Sequence, residues 1–153
     1  MSEQAAERQF SFQRIYTKDI SFESPNAPHV FVGEWNPDVN VGLRTEVQDL
    51  GNDNVEVTLT VNVEAKLEDK TAYLVEVQQA AIFRASGFSE EELTPLLAIG
   101  APTALFPYVR EVISDLVTRG SFPQFVLQPV NFEANFAQQM AEQEAAAAGG
   151  ETH

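Results

Sequence analysis

Apolar residues alternate along the first half of the chain and recur at helical spacing along the second. The clearest alternation sets Val55, Val57, Leu59, Val61, Val63, Ala65 and Leu67 against Glu56, Thr58, Thr60, Asn62, Glu64, Lys66 and Glu68. One face is apolar and the other polar, as in an antiparallel strand with one solvated side. Glu68, Asp69 and Lys70 make a short turn, so a fourth strand over residues 71–83 closes a hairpin. That strand is apolar on both faces, with Tyr73, Val75, Val77 and Phe83 on one and Ala72, Leu74, Ala80 and Ile82 on the other. It needs cover on both sides. The chain's own helices can supply one cover and a second copy of the sheet the other. The first strand, over residues 10–22, is less regular. Phe10, Phe12, Tyr16, Ile20 and Phe22 share a parity that Arg14 and Lys18 interrupt, and Ile15 sits on the other parity. This reads as a bent or edge strand. Pro25 and Pro28 stop it. Residues 29–38 hold Phe31 and Trp35 but no regular pattern. Alternation resumes with Val39, Val41 and Leu43 and runs to a turn over residues 49–54.

Beyond the strands, Ser89 followed by Glu90, Glu91 and Glu92 predicts a helix N-terminus. Gly100, Ala101 and Pro102 should then break or kink the helix. A second helix is predicted over residues 103–118, with Leu105, Phe106, Val109, Val112, Ile113, Leu116 and Val117 on its apolar stripe and Gly120 as a glycine stop. Residues 121–130 form an extended apolar linker. A last helix covers residues 131–148, with Phe132, Phe136 and Met140 in register. Strands grouped before helices predict an α+β fold, a four-stranded antiparallel sheet with helices on one face. A single domain over residues 1–153 is expected, with loose ends at 1–9 and 149–153.

The composition narrows the function. At 153 residues with 44% hydrophobic content, the chain can bury a core as one domain. Nine Lys+Arg against 23 Asp+Glu leave a net charge of −14, which disfavours nucleic acid and anionic membranes as partners. No cysteine is present, so disulfides, thiol nucleophiles and cysteine–zinc sites are excluded. No secretory leader and no uninterrupted membrane-length apolar run appear, so a cytoplasmic protein without membrane insertion is expected. His29 and His153 have no metal-ligand spacing around them, and no nucleophile elbow or phosphate loop is found. The expectation is therefore no metal, no cofactor and no enzyme. Glu76 stands out as an acid in an otherwise apolar row: either a wet rim position or a docking contact. Phe31, Trp35, Phe122, Phe125 and Leu127 lie in proline-punctuated segments. Either they close the core or they line a groove for extended peptide. A small-ligand α+β domain with carboxylate chemistry, and an adaptor for one folded partner, remain open alternatives.

Several strings carry a resemblance. Arg14-Ile15-Tyr16-Thr17-Lys18-Asp19-Ile20-Ser21-Phe22-Glu23 followed by Ser24-Pro25-Asn26-Ala27-Pro28-His29-Val30-Phe31, then Trp35-Asn36-Pro37, Glu76-Val77-Gln78-Gln79, Leu105-Phe106-Pro107-Tyr108-Val109-Arg110-Glu111, Arg119-Gly120-Ser121-Phe122-Pro123-Gln124 and Pro129-Val130-Asn131-Phe132 occur in order. Together they resemble the SecB family of bacterial export chaperones, over residues 10–136. The resemblance implies a homotetramer, a dimer of dimers, of subunits with a four-stranded sheet and two main helices. It implies a chaperone that holds precursor proteins unfolded and passes them to the SecA ATPase, with no cofactor. It also implies that Asp19, Glu23, Leu74 and Glu76 dock SecA and that Val75, Val77 and Gln79 serve the tetramer contact. With the greasy loops, it points to Phe31, Trp35, Val39, Val41, Leu43, Phe122, Phe125 and Leu127 as the client-binding set.

Overall fold

Each alternating stretch becomes a strand in the computed structural model, which describes residues 7–150. The strands are β1 (Gln9–Glu23), β2 (Asp38–Gly51), β3 (Asn54–Leu67) and β4 (Lys70–Ser86). They form one antiparallel sheet in the order β1-β4-β3-β2. The connection between β1 and β2 therefore carries the chain from one edge of the sheet to the other, with a single 3-10 turn at His29–Phe31 on the way.

The odd positions of β3 and β4 build the core. Val57, Leu59, Val61, Val63, Val77 and Ala81 are all at most 1% exposed. Against this inner face lies α2 (Ala101–Arg119), through Leu105, Val109, Ile113 and Val117. The helical cover expected for β4 is thus present on one face. Its other face has no covering element among the described residues; Ala72 and Ala80 are shielded by the flanking strands, and Leu74 and Ile82 are half-buried.

The irregular parity of β1 comes from two bulges. Phe10, Phe12, Ile15, Thr17, Ile20 and Phe22 pair opposite Ala85, Phe83, Ala81, Gln79, Val77 and Val75. All six therefore share the inner face, although their numbering passes from even to odd and back. The register shifts fall between Phe12 and Arg14 and between Thr17 and Asp19. An extra residue at each site flips the parity once, so the second bulge restores what the first changed.

Of the break or kink predicted at Gly100–Pro102, the break does not occur. Helix α1 (Glu90–Pro95) runs through a π-helical turn (Leu96–Gly100) directly into α2. The Ala101 N–H donates to the Leu96 carbonyl, five residues back. Pro102 lacks the N–H that the ordinary i−4 bond requires, and the wider π spacing carries the helix past it. Ser89 caps α1 by accepting from the Glu92 N–H, and its hydroxyl also meets the Glu92 carboxylate. By length and composition the Glu90–Arg119 run could cross a membrane, with mean hydropathy 1.3. In the fold its apolar stripe is packed on the sheet.

The helix stop at Gly120 works differently from the expectation. Gly120 has φ −76°, and the left-handed residue is Ser121 at φ +66°. Gly120 is small because Phe22 of β1 packs on it: a Cβ there would lie 2.5 Å from the Phe22 ring. Residues 121–131 then run back along α2, tied by the Ser114 hydroxyl to the Phe125 carbonyl at 2.8 Å. Helix α3 (Phe132–Gly150) is anchored by buried Phe132, edge-on to Phe106 at 6.2 Å, and contacts the π turn.

Order extends further at both ends than expected. Gln9 opens β1, Arg8 pairs with Glu92 at 2.9 Å, and Gly149 and Gly150 finish α3. The remaining terminal expectations, on residues 1–6 and 151–153, lie outside the described residues.

Candidate binding surfaces

The four residues expected at the SecA contact come together on the outer face of two adjacent strands. Glu23 lies opposite Leu74, Ser21 opposite Glu76 and Asp19 opposite Gln78. Arg44 of β2 reaches across β3 toward Glu76, 3.9 Å away, and also pairs with Glu46 at 3.0 Å. The reach passes over Thr60, a small side chain. Glu64 adds a further acid opposite Leu74 and holds Lys66 at 3.1 Å.

A second cross-strand contact on this face escaped the sequence reading. The Tyr16 hydroxyl donates to the Glu56 carboxylate, and Lys18 pairs with the other oxygen at 3.0 Å. Tyr16 and Lys18 belong to edge strand β1 and Glu56 to β3, so the contact spans β4. Ala80, between Tyr16 and Thr58, is the residue that leaves room. Burial first, then the Glu56 carboxylate, pushes the Tyr16 phenol up to about 12. The Tyr16 hydrogen bond, helped by Lys18 and Thr58, holds the Glu56 carboxyl below its ordinary value against the opposing effect of burial. The signal available in the sequence was the small residue Ala80 on the outer parity of β4, between the larger Gln78 and Ile82.

Val75, Val77 and Gln79, the expected tetramer contacts, sit on the inner face and are 2%, 0% and 3% exposed. They lie beneath α2 rather than at the surface. The Gln79 side-chain Oε1 accepts from the Thr17 hydroxyl at 2.8 Å. Beside them, Tyr108 and Val112 of α2 help line a cleft of ≈ 380 Å³. The inner face of β1 extends past the helix and leaves Phe12 and Ile20 exposed.

The expected client-binding residues divide into three groups. Phe31, Trp35 and Phe122 form an aromatic knot with Tyr73: Phe31 stacks on Phe122 at 5.1 Å, and Trp35 lies 5.4 Å from Phe122 and 6.3 Å from Tyr73. Burial raises the Tyr73 phenol above its usual range. Val39, Val41 and Leu43 lie on the inner face of edge strand β2, which α2 does not reach; Val39 and Val41 are 36% and 46% exposed. Phe125 and Leu127 lie on the returning segment. Two corrections follow from burial. Phe122 and Leu127, at 5% and 3% exposed, are floor and not open wall, because the returning segment turns them onto the core. Phe31, at 47%, and half-buried Trp35 and Phe125 remain accessible.

Further along β2, Leu43 and Val47 face Leu97 of the π turn and Phe132 and Phe136 of α3 across a groove of ≈ 350 Å³. The sequence pattern placed these residues on helices without assigning them to a groove. No group of three or more His, Asp or Glu suited to a metal occurs among the described residues.

Residues 3–143 match the SecB family, described as a preprotein translocase subunit. Protein-export protein SecB of Methylococcus capsulatus is 52% identical, over 93% of each chain. The proteins of the same name from Alcanivorax borkumensis and Nitrosococcus oceani are 54% and 48% identical; the first covers 94% of each chain, the second 99% of this chain and 94% of its own. Among solved structures, a SecB-like chaperone of Mycobacterium tuberculosis, in complex with a ChAD peptide from the HigA1 antitoxin, shares the fold. Its TM-score is 0.66 at 20% identity, covering 79% of this chain and 90% of that one.

Proposed function

The chain belongs to the SecB family and is a chaperone of protein export; from that premise we propose that it grips unfolded precursors on one side of its sheet and docks SecA on the other. The observation that carries this reading is the accessible pair Phe31 and Trp35 over the buried Phe122 floor, with Val39 and Val41 exposed on the inner face of edge strand β2. A surface of large, exposed apolar side chains beside an unpaired strand edge suits extended polypeptide of varied sequence. Leu43 and Phe125 extend it. Asp19, Glu23, Leu74 and Glu76 face the opposite way, so a client and SecA can be held together. The chain works without a cofactor, catalyses no reaction and acts in the cytoplasm.

Assembly as a homotetramer, a dimer of dimers, is part of this reading and is supported by the uncovered inner face of β1, with Phe12, Ile20 and the edge backbone. Val75, Val77 and Gln79 contribute to it by seating α2, whose outer residues then meet another copy. Several such surfaces on one assembly engage one long client and multiply its affinity.

Two measurements test this. The mass in solution is expected to be four times 16.9 kDa, and about one tetramer per chain should suppress aggregation of a slowly folding client by light scattering. A stable monomer, or undiminished aggregation alongside saturable small-molecule binding, would overturn the reading.

A further inference from the structure

The outer face carries its charges unevenly along the neighbouring strands β1 and β4. Where β1 ends and β4 begins, it carries Asp19, Glu23 and Glu76, with Arg44 of β2 reaching toward Glu76. At the other end it carries Arg14 and Arg84 on adjacent strands, Arg14 opposite Ile82 and Arg84 opposite Ser11. Glu76 and Arg84 are separated along β4 by about 27 Å, at roughly 3.4 Å per residue. Glu56 shares the row of Arg14, both opposite Ile82, but its carboxylate is already held by Tyr16 and matched by Lys18. Among the described residues neither Arg14 nor Arg84 belongs to an ion pair, although acids outnumber bases 23 to 9. Like charges on neighbouring strands repel, and a carboxylate held between them relieves the repulsion.

We propose that Arg14 and Arg84 are a second contact point for the docking partner, receiving a carboxylate-bearing part of its surface while its cationic part covers Asp19, Glu23 and Glu76. The face then accepts its partner in one direction along the strands only. A reversed partner would bring like charges together at both ends. Arginine suits this role because its planar fork takes a carboxylate through two parallel bonds. The inference rests on the docking reading above and adds to it the orientation of the partner.

The test is calorimetry of the assembled protein against purified SecA at low and high salt, comparing Arg14→Glu/Arg84→Glu with Glu76→Lys. The double reversal is expected to weaken binding about 5-fold at low salt and hardly at all at high salt, as exposed charge contacts do. Arg14→Gln/Arg84→Gln should move the same way by less. Assembled mass and suppression of client aggregation should not change. Full SecA affinity in the double reversal beside a weakened Glu76→Lys overturns the second contact and leaves the docking face standing. Full affinity in both overturns both. A fall in assembled mass assigns the arginines to a contact between copies and overturns the proposal as well.

Discussion

The two faces of the sheet are made by the same strands, one residue out of step, and they obey different rules. On the inner face, Val57, Leu59, Val61 and Val77 are sealed under α2 and their contribution is packing. Each fully buried aliphatic side chain there stabilises the fold by about 1.5–3 kcal/mol. On the outer face, Asp19, Glu23, Arg44 and Glu76 stand in water or near it, where an ion pair contributes about 0–1 kcal/mol. In the central strands, packing is therefore concentrated on one side and exposed charge on the other. A strand built this way can change its outer charges with little effect on its folding.

The sharpest way to break that division is to put recognition chemistry inside. Val77→Asp leaves an unpaired charge at a position 0% exposed and should cost more than about 4 kcal/mol, a large part of a domain's total. Loss of the cooperative urea transition by circular dichroism would check it. Next in size, Phe122→Ala removes the floor of the aromatic knot and should cost about 3–5 kcal/mol. It should also weaken client holding, because Phe31 and Trp35 lose their backing; denaturation and light scattering on the same sample read both effects. Outside, Glu76→Lys should weaken SecA binding about tenfold while shifting stability by less than about 0.5 kcal/mol. A stability loss as large as the binding loss would end the division of labour between the faces.

The smallest effect concerns pH. Glu56 is held below its ordinary value of 4.5, so the native state favours its ionised form. That contribution is present above the unfolded value and lost as pH falls through the lower folded one. Tyr16, raised from 10.0 to about 12, has the opposite sign: its contribution is present below 10 and lost as pH rises through 12. Glu56→Gln should flatten the acid limb of the stability profile, and Tyr16→Phe the alkaline limb. Thermal melts from neutral pH down through 4.5 and below, and from 10 to 12, would measure both, and limbs indistinguishable from those of the unaltered protein would exclude a role for this contact in folding.

Legibility followed the same division. The alternation of β3, from Val55 to Leu67, reads directly because period two and burial coincide there. The stripe of α2 reads equally well. Sheet order did not follow from the pattern, since nothing in β1 says that it pairs with β4 instead of β2. The bulges were visible only as misplaced charges at Arg14 and Lys18. The π turn was read as a break or a kink because proline and glycine mark all of these outcomes. Asp19, Glu23, Leu74 and Glu76 were assigned to one surface through resemblance alone, and the register then supplied the geometry. The loops were correctly seen as too apolar for ordinary loops. Which of their rings were floor and which were wall depended on the path of residues 121–131, which no periodicity encodes.

One consequence of β1 concerns changes in chain length. Lys18 stands at the second register shift, between Thr17 opposite Gln79 and Asp19 opposite Gln78. It is a supernumerary residue. Excising it would straighten the strand without turning any neighbour over: Thr17 would still look inward and Asp19 outward, with Glu56 keeping only its phenol. Adding a residue just before Asp19 would instead turn Ile20 and Phe22 to the outer face and Asp19 and Glu23 to the inner one. For this edge, shortening by one is milder than lengthening by one.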